Sequence, residues 1–185
     1  NGKVKFESEY IENELNGEFK EFYDNDQLKF SGFYINGKKN GDWIGYHTNG
    51  QKAIEGYAKG EDRPGFSDYY IHAYKYGKWT WWYENGQIKS EGNYKDGKPD
   101  GKWTSWLENG QIKSEEHYKD DKEVNGTKYA YHENGQIELE SNYKDGKRDG
   151  KWTSWLKNGL IKSEAHYKDD KKISETKYAY HENGQ

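Results

Sequence analysis

The stretch NGQIKSEGNYKDGKPDGKWTSWLE, residues 85–108, is one period of a pattern that runs the length of the chain. Its Asn-Gly start recurs at Asn1-Gly2, Asn49-Gly50, Asn85-Gly86, Asn109-Gly110, Asn134-Gly135, Asn158-Gly159 and Asn183-Gly184, with a degenerate Asn25-Asp26 in the first gap. The steps are 24, 24, 36, 24, 25, 24 and 25 residues. A fixed period of roughly 20–50 residues marks a repeat architecture, in which each unit packs mainly on its neighbours. The chain therefore reads as a single repeat array over 1–185. Its units are 1–24, 25–48, 49–84, 85–108, 109–133, 134–157 and 158–182, and 183–185 open an eighth. The third unit carries a 12-residue insertion at 61–72. A longer repeat lies on top. KWTSWLENGQIKSEEHYKDDK at 102–122 returns at 151–171 as KWTSWLKNGLIKSEAHYKDDK, so the last four units are two copies of a two-unit block.

Each unit predicts two strands. Ile88 to Tyr94 alternates with period 2, Lys95 to Lys102 reads as a loop, and Trp103 to Leu107 forms a second short strand. The Asn-Gly pair predicts a two-residue type I′ hairpin, because that turn needs positive φ at both central residues. Such a turn at Asn109-Gly110 sets Leu107 opposite Ile112, Trp106 opposite Lys113, Ser105 opposite Ser114 and Trp103 opposite Glu116. The same register sets Phe19 opposite Gly32, Trp43 opposite Gly56, Trp79 opposite Gly92 and Trp152 opposite Ala165. A large ring over a bare backbone stabilises a strand glycine. A second column holds Phe22, Tyr46, Trp82, Trp106, Tyr131, Trp155 and Tyr180. Its predicted partners include Lys29, Lys89, Lys113 and Lys162, which permits cation–π contact. The expected fold is all-β: an elongated single-layer antiparallel β-meander of about seven β-hairpin repeats, with no helix to cover either face.

Composition agrees with a sheet that has little interior. Leu, Ile, Val and Phe number only 24 of 185 residues, and the mean hydropathy is −1.48, values typical of a disordered chain. Aromatic residues nevertheless reach 17%, which disordered segments lack. No apolar run is long enough for a transmembrane helix, and the absence of Cys excludes a disulfide or thiolate framework. Charges of both signs are intermixed, with a net of −4 and no basic patch, which excludes a nucleic-acid partner and disfavours a phospholipid surface. With no initiator Met, and an end inside the repeat motif, the sequence reads as a fragment of a longer chain.

The unit resembles the bacterial variant of the MORN repeat. The Gly-x-Trp of Gly77-Lys78-Trp79, Gly101-Lys102-Trp103 and Gly150-Lys151-Trp152 carries the resemblance, with the Tyr-Lys-Asp-Gly turns at Tyr94–Gly97 and Tyr143–Gly146 and the Glu-Asn-Gly turns. Lys128 and Lys177 depart from it in place of Trp, and Glu175 in place of Gly. The resemblance implies an elongated β-meander and a non-catalytic scaffold. Relatives of this kind include proteins with an antitoxin label, exported proteins and arrays linked to membranes.

Candidate sites stand where the period is broken or where rings line up. The insertion is rich in aromatics, and Arg63, Phe66, Tyr69, Tyr70, His72 and Tyr74 are its candidate binding residues. Trp82, Trp106, Tyr131 and Trp155 are candidates for an exposed groove, against the plainer reading that they pack along the ladder. No catalytic or metal-binding residues are assigned and no cofactor is expected. His117 and His166 occupy one repeat position, as do His132 and His181, so the histidines are copies rather than a converging cluster. Carboxylates likewise recur by period, with no nucleophile elbow or phosphate loop beside them.

These observations point to a non-enzymatic scaffold whose partner is another protein, as a bacterial surface or secreted interaction module. The alternatives are an intracellular antitoxin or immunity-type protein, and a carbohydrate or phospholipid binder. A surface or extracellular setting is favoured over the cytoplasm, and end-to-end or edge self-association is left open.

Overall fold

Two kinds of turn alternate along the chain and build its sheet. At Asn109-Gly110, the Leu107 N–H donates to the Gln111 carbonyl at 2.8 Å and the Gly110 N–H donates to the Leu107 carbonyl at 2.9 Å. Gly110 has a φ of 84°, whereas Asn109 does not have positive φ. This is a type I turn closed by a left-handed glycine, a three-residue loop, and not the expected type I′ turn. The Asn109 side chain explains the choice. Its Oδ1 accepts the Gln111 N–H at 3.1 Å, and the same bond recurs at Asn49, Asn85 and Asn134.

The type I′ turns lie at the opposite ends of the strands. Asp96-Gly97 and Asp145-Gly146 have positive φ at both residues, as do Asn36-Gly37, Asp120-Asp121 and Asp169-Asp170. What read as a loop over Lys95–Lys102 is therefore a tight hairpin, and the following strand begins at Lys98.

The computed structural model describes residues 2–60 and 74–181. Its strands are β1 (Phe6–Ile11), β2 (Glu14–Phe22), β3 (Leu28–Ile35), β4 (Lys38–Tyr46), β5 (Lys52–Gly60), β6 (Tyr74–Trp82) and β7 (Ile88–Lys95). The rest are β8 (Lys98–Trp106), β9 (Ile112–Lys119), β10 (Lys122–Tyr131), β11 (Ile137–Lys144), β12 (Lys147–Trp155), β13 (Ile161–Lys168) and β14 (Lys171–Lys177). They form one open 14-stranded antiparallel sheet in sequence order, the expected β-meander, and no helix occurs among the described residues.

Bulges reconcile the turns with the register. Next to the three-residue loop, Trp106 lies opposite Ile112, not Lys113. Lys113 is then the extra residue of a bulge, and the expected pairs Ser105↔Ser114 and Trp103↔Glu116 follow. The same shift sets Trp82 opposite Ile88 and Trp155 opposite Ile161. The second aromatic column thus pairs largely with aliphatic side chains. Lys89 lies over Tyr83 at 5.5 Å rather than over Trp82, and Lys29 lies near Tyr23 and Phe30.

A second bulge explains the Gly-x-Trp motif. Tyr94 pairs with Pro99 but Gly92 pairs with Trp103, so two extra residues are accommodated on β8, with Gly101 at a φ of 83°. Glycine suits this left-handed position, because other side chains are strained there. On β10 and β14 only one extra residue is accommodated, and Gly126 and Glu175 do not have positive φ. This is why Glu175 can replace the glycine.

Side chains alternate across the strands. One face carries Trp43, Trp79, Trp81, Trp103 and Trp152, and is called the indole face below. The other carries Thr80, Thr104 and Thr153, cross-paired with Glu91, Glu115 and Glu164, and is called the threonine face. The expected ring-to-glycine pairs are all in register. The indoles, however, lean onto the glycine of the preceding strand. Trp43 lies against Gly32, Trp79 against Gly56 and Trp103 against Gly92.

The sheet has more interior than its composition suggests. Trp43 and Trp79 are 2% and 0% exposed, and they form a buried cluster with Tyr34 and Ala58. Leu15, Phe19, Phe30, Ile54, Trp81 and Tyr94 pack around it. The expectation of a sheet with little interior is thus corrected for its first half.

Candidate functional site

The Asn-Gly turns lie along one edge of the sheet, and each is tied to the next. The Tyr23 hydroxyl donates to the Tyr46 carbonyl at 2.7 Å, and the Tyr83 hydroxyl donates to the Trp106 carbonyl at 2.8 Å. His47 Nε2 and His132 Nε2 lie 3.0 Å from the Trp82 and Trp155 carbonyls. A carbonyl only accepts, so these two rings carry a proton on Nε2. Leu107 and Leu156 occupy the same repeat position and have no such donor. There the tie runs backwards: Tyr131 donates to the Ile112 carbonyl at 2.6 Å, and Tyr180 to the Ile161 carbonyl at 2.7 Å. Asparagine side chains add a second tie, from Asn49 to the Glu84 carbonyl, Asn85 to the Glu108 carbonyl and Asn134 to the Lys157 carbonyl.

These ties fix the second aromatic column on the threonine face. Across three successive turns it opens into a groove of about 670 Å³, lined chiefly by Ile112, Tyr129, Tyr131, Ile137 and Trp155, with Gln111 and Gln136 at its rim. Ile137 is 37% exposed there. Burial raises the phenol pKa of Tyr129 and Tyr131, so both rings are neutral well above neutral pH. The groove is apolar in its walls and presents hydrogen-bonding groups at its mouth. It therefore suits an apolar side chain flanked by a polar backbone.

Of the residues expected from sequence, Tyr131 and Trp155 come together in this groove. Trp82 and Trp106 are half-buried and stand in the same column, with Lys52 5.8 Å from the Trp82 ring, but they do not line it. Arg63, Phe66, Tyr69, Tyr70 and His72 lie outside the described residues. Tyr74 opens β6, with its backbone opposite Lys59. Sequence reasoning missed Ile112, Tyr129 and Ile137. The bulges that set Ile112 opposite Trp106 and Ile137 opposite Tyr131 are what bring the first and last of these to the groove.

The middle of the threonine face is charged. Lys78 pairs with Glu91 at 2.7 Å, Lys102 pairs with Glu115, and Lys151 pairs with Glu164. These partially exposed pairs contribute little stability individually. Among the described residues, no group of three or more His, Asp or Glu side chains converges as a metal site would require.

The sequence profile described as MORN repeat variant matches residues 15–36, 75–96, 99–120, 124–145 and 148–169, more than half of the chain. The chain belongs to the MORN repeat variant family. Each matched segment spans one hairpin, β2–β3 with its Asn25-Asp26 turn and β6–β7, β8–β9, β10–β11 and β12–β13 with Asn-Gly turns. The hairpin β4–β5 lies outside the matched segments, yet it has the same register and bulge. A comparison with curated proteins returned no match. MORN repeats form scaffolds for protein or membrane interaction, and the turn edge of this array is tied from one repeat to the next.

Proposed function

We propose that this MORN-type array is a non-enzymatic scaffold that binds another protein through the turn-edge groove on its threonine face. The observation that carries this reading is the open groove between Tyr131 and Trp155, with Ile137 exposed in its wall. An exposed apolar groove with polar rims is a feature of protein-binding surfaces. Tyr and Trp lose little conformational freedom on binding, because ladder packing already holds them. The net charge of −4 and the alternating Lys and Glu of the same face weigh against an anionic membrane surface as the partner.

The test is affinity capture from the native lysate by the intact chain, by Ile137→Asp, and by a chain lacking residues 61–72. The groove reading expects a protein captured by the intact chain and by the deletion, and lost with Ile137→Asp. Capture unaffected by Ile137→Asp but abolished by the deletion would move the site to the insertion. Equal capture by all three would remove both.

A further inference from the structure

The indole face is interrupted at one place among its inner strands. Strands β4, β6, β8 and β12 each bring an indole to the same repeat position, at Trp43, Trp79, Trp103 and Trp152. On β10 the residue is Lys128. The change is more than a missing ring. Because β10 carries the shorter bulge, Lys128 falls opposite Ser114, and the bare Gly126 falls opposite Glu116. The space an indole would fill is left as a cavity of about 400 Å³, within the range of small-ligand sites.

The chemistry gathered there is specific. Trp103 forms one wall, packed between Trp81 at 5.5 Å and Tyr118 at 6.1 Å, so its ring is held in place. The Ser105 and Ser114 hydroxyls meet at 2.7 Å and keep capacity for a further bond each. Glu116 accepts from the Tyr118 hydroxyl at 2.8 Å and lies 3.9 Å from the Lys128 ammonium. Burial, and then the Glu116 carboxylate beside it, push the Tyr118 phenol far up, so it acts there as a donor. The hydroxyl pair has a counterpart at Ser154 and Ser163, 2.8 Å apart, with Lys177 opposite Ser163, but Ala165 stands there in place of Glu116 and Glu175 in place of the bare Gly126.

Each simpler ligand class meets an obstacle. An anion would face Glu116, and a cation would face Lys113 and Lys128. A wholly apolar group would strip water from the Glu116–Lys128 pair without replacing it, which is costly. A neutral ring with an apolar C–H face and a rim of hydroxyls satisfies the indole wall, the hydroxyl pair, the carboxylate and the ammonium together. We infer that this interruption is a saccharide site, taking one pyranose ring against Trp103, with its hydroxyls bonded to Ser105, Ser114, Glu116 and Lys128. It lies on the face opposite the protein-binding groove and does not rest on that reading.

The molecule supplies its own blocking variant. Trp81 occupies on β6 the repeat position that Ser105 occupies on β8, and it lies opposite Ser90 as Ser105 lies opposite Ser114. Ser105→Trp therefore fills the cavity with a side chain already accommodated elsewhere in the array. The full chain is titrated with methyl glucoside, methyl galactoside, methyl mannoside, cellobiose, lactose and chitobiose, and the Trp103 indole N–H is followed by nitrogen–proton NMR. Glycerol, which has hydroxyls but no ring face, serves as the control.

The expected result is a saturable shift with at least one of these sugars, absent with glycerol and absent in Ser105→Trp. Glu116→Gln, which keeps the shape, is expected to weaken the same sugar by about tenfold, the effect of losing one hydrogen bond to a charged group. This second variant decides the matter if Ser105→Trp does not fold. Parallel pull-downs on insoluble cellulose and chitin distinguish a polysaccharide surface from a free sugar as the source of the pyranose. No shift with any of the six sugars, or a shift that survives Ser105→Trp, overturns the proposal.

Discussion

Strands β2–β7 and β8–β14 share one backbone plan and stabilise it with different chemistry. In the first half, the inward positions of the indole face carry Phe30, Ile54, Trp43, Trp79 and Trp81, and two indoles are buried completely or nearly so. In the second half, two of the three hairpins carry serine at the positions equivalent to Ile54 and Trp81, as Ser105 with Ser114 and Ser154 with Ser163, joined hydroxyl to hydroxyl, while β10–β11 carries Ala130 opposite Leu139. Tryptophans remain in this half, and Trp152 has Tyr143 of the preceding hairpin and Tyr167 of its own beside it. The backbone ladder and turn chemistry are therefore sufficient to specify the meander. The hydrophobic cluster is added to one end of it and is not needed to define it.

The sharpest way to break this comparison is to remove one indole from each half. Trp79→Ala is expected to cost about 3–5 kcal/mol, because a fully buried ring is lost and Gly56 is uncovered. Trp152→Ala is expected to cost roughly 1–3 kcal/mol, since its ring is only partly buried. Urea unfolding monitored by far-UV circular dichroism measures both. Equal losses would mean that the two halves are stabilised alike.

Much of this was legible in the sequence, and for a physical reason. The period fixes the order of the hairpins, and the register follows wherever a bulge restores what the turn displaces. Trp103↔Glu116 is reached either through a two-residue turn or through a three-residue turn plus a bulge at Lys113. The two routes differ only near the turn. That is where the expectation failed, at Trp106, and where Ile112 enters the groove instead. An Asn-Gly pair is compatible with both turns, and the deciding bond, from the Gln111 N–H to Asn109 Oδ1, is a side-chain choice that pattern does not encode. Lys128 stood out as a departure from the repeat. The cavity beside it depended on a one-residue change in a bulge, which no periodicity reveals.

A smaller effect separates the halves at the ring-to-glycine contact. A Cβ added at Gly56 would lie 2.2 Å from the Trp79 ring, so Gly56→Ala is expected to cost about 1–3 kcal/mol through overpacking. At the equivalent position in the last repeat the chain already carries Ala165, because β14 brings no indole to it. Ala165→Gly is expected to lose only about 0.5–1 kcal/mol, from backbone entropy and one lost methyl. Adding a methyl thus harms the first half, whereas removing one harms the second. Thermal denaturation of the two variants reads the difference directly.

The smallest expected effect is a difference in pH response, carried by one repeat position. Lys75 and Arg148 both cap the tryptophan of their hairpins. The Lys75 ammonium lies 4.8–5.0 Å from the rings of Trp79, Trp81 and Tyr94, and burial lowers its pKa to about 8. Arg148 instead bonds the Asp170 carboxylate at 3.3 Å in the open, and the Arg148 backbone N–H and guanidinium hold Asp170 below its ordinary range. Between pH 8 and 10.5 the unfolded chain keeps a proton on Lys75 that the folded chain has released, so stability rises with pH in that window. The rings favour the charged form and make the rise shallower. Tyr94, whose pKa is raised by burial, ends it, because above about 10 the unfolded phenol ionises first. At the acid end stability also rises with pH, but because the fold favours the charged form of the group there. Asp170 contributes stability above its unfolded pKa, and that contribution disappears as pH falls through its lower folded value. Melting temperatures taken from pH 3 to 10 (pH values about those ordinary pKa limits) should therefore lose their alkaline rise in Lys75→Met and part of their acid loss in Asp170→Asn. If Lys75→Met leaves the alkaline limb unchanged, the three rings hold Lys75 charged as firmly as water does, and the buried half of the sheet has no pH response of its own.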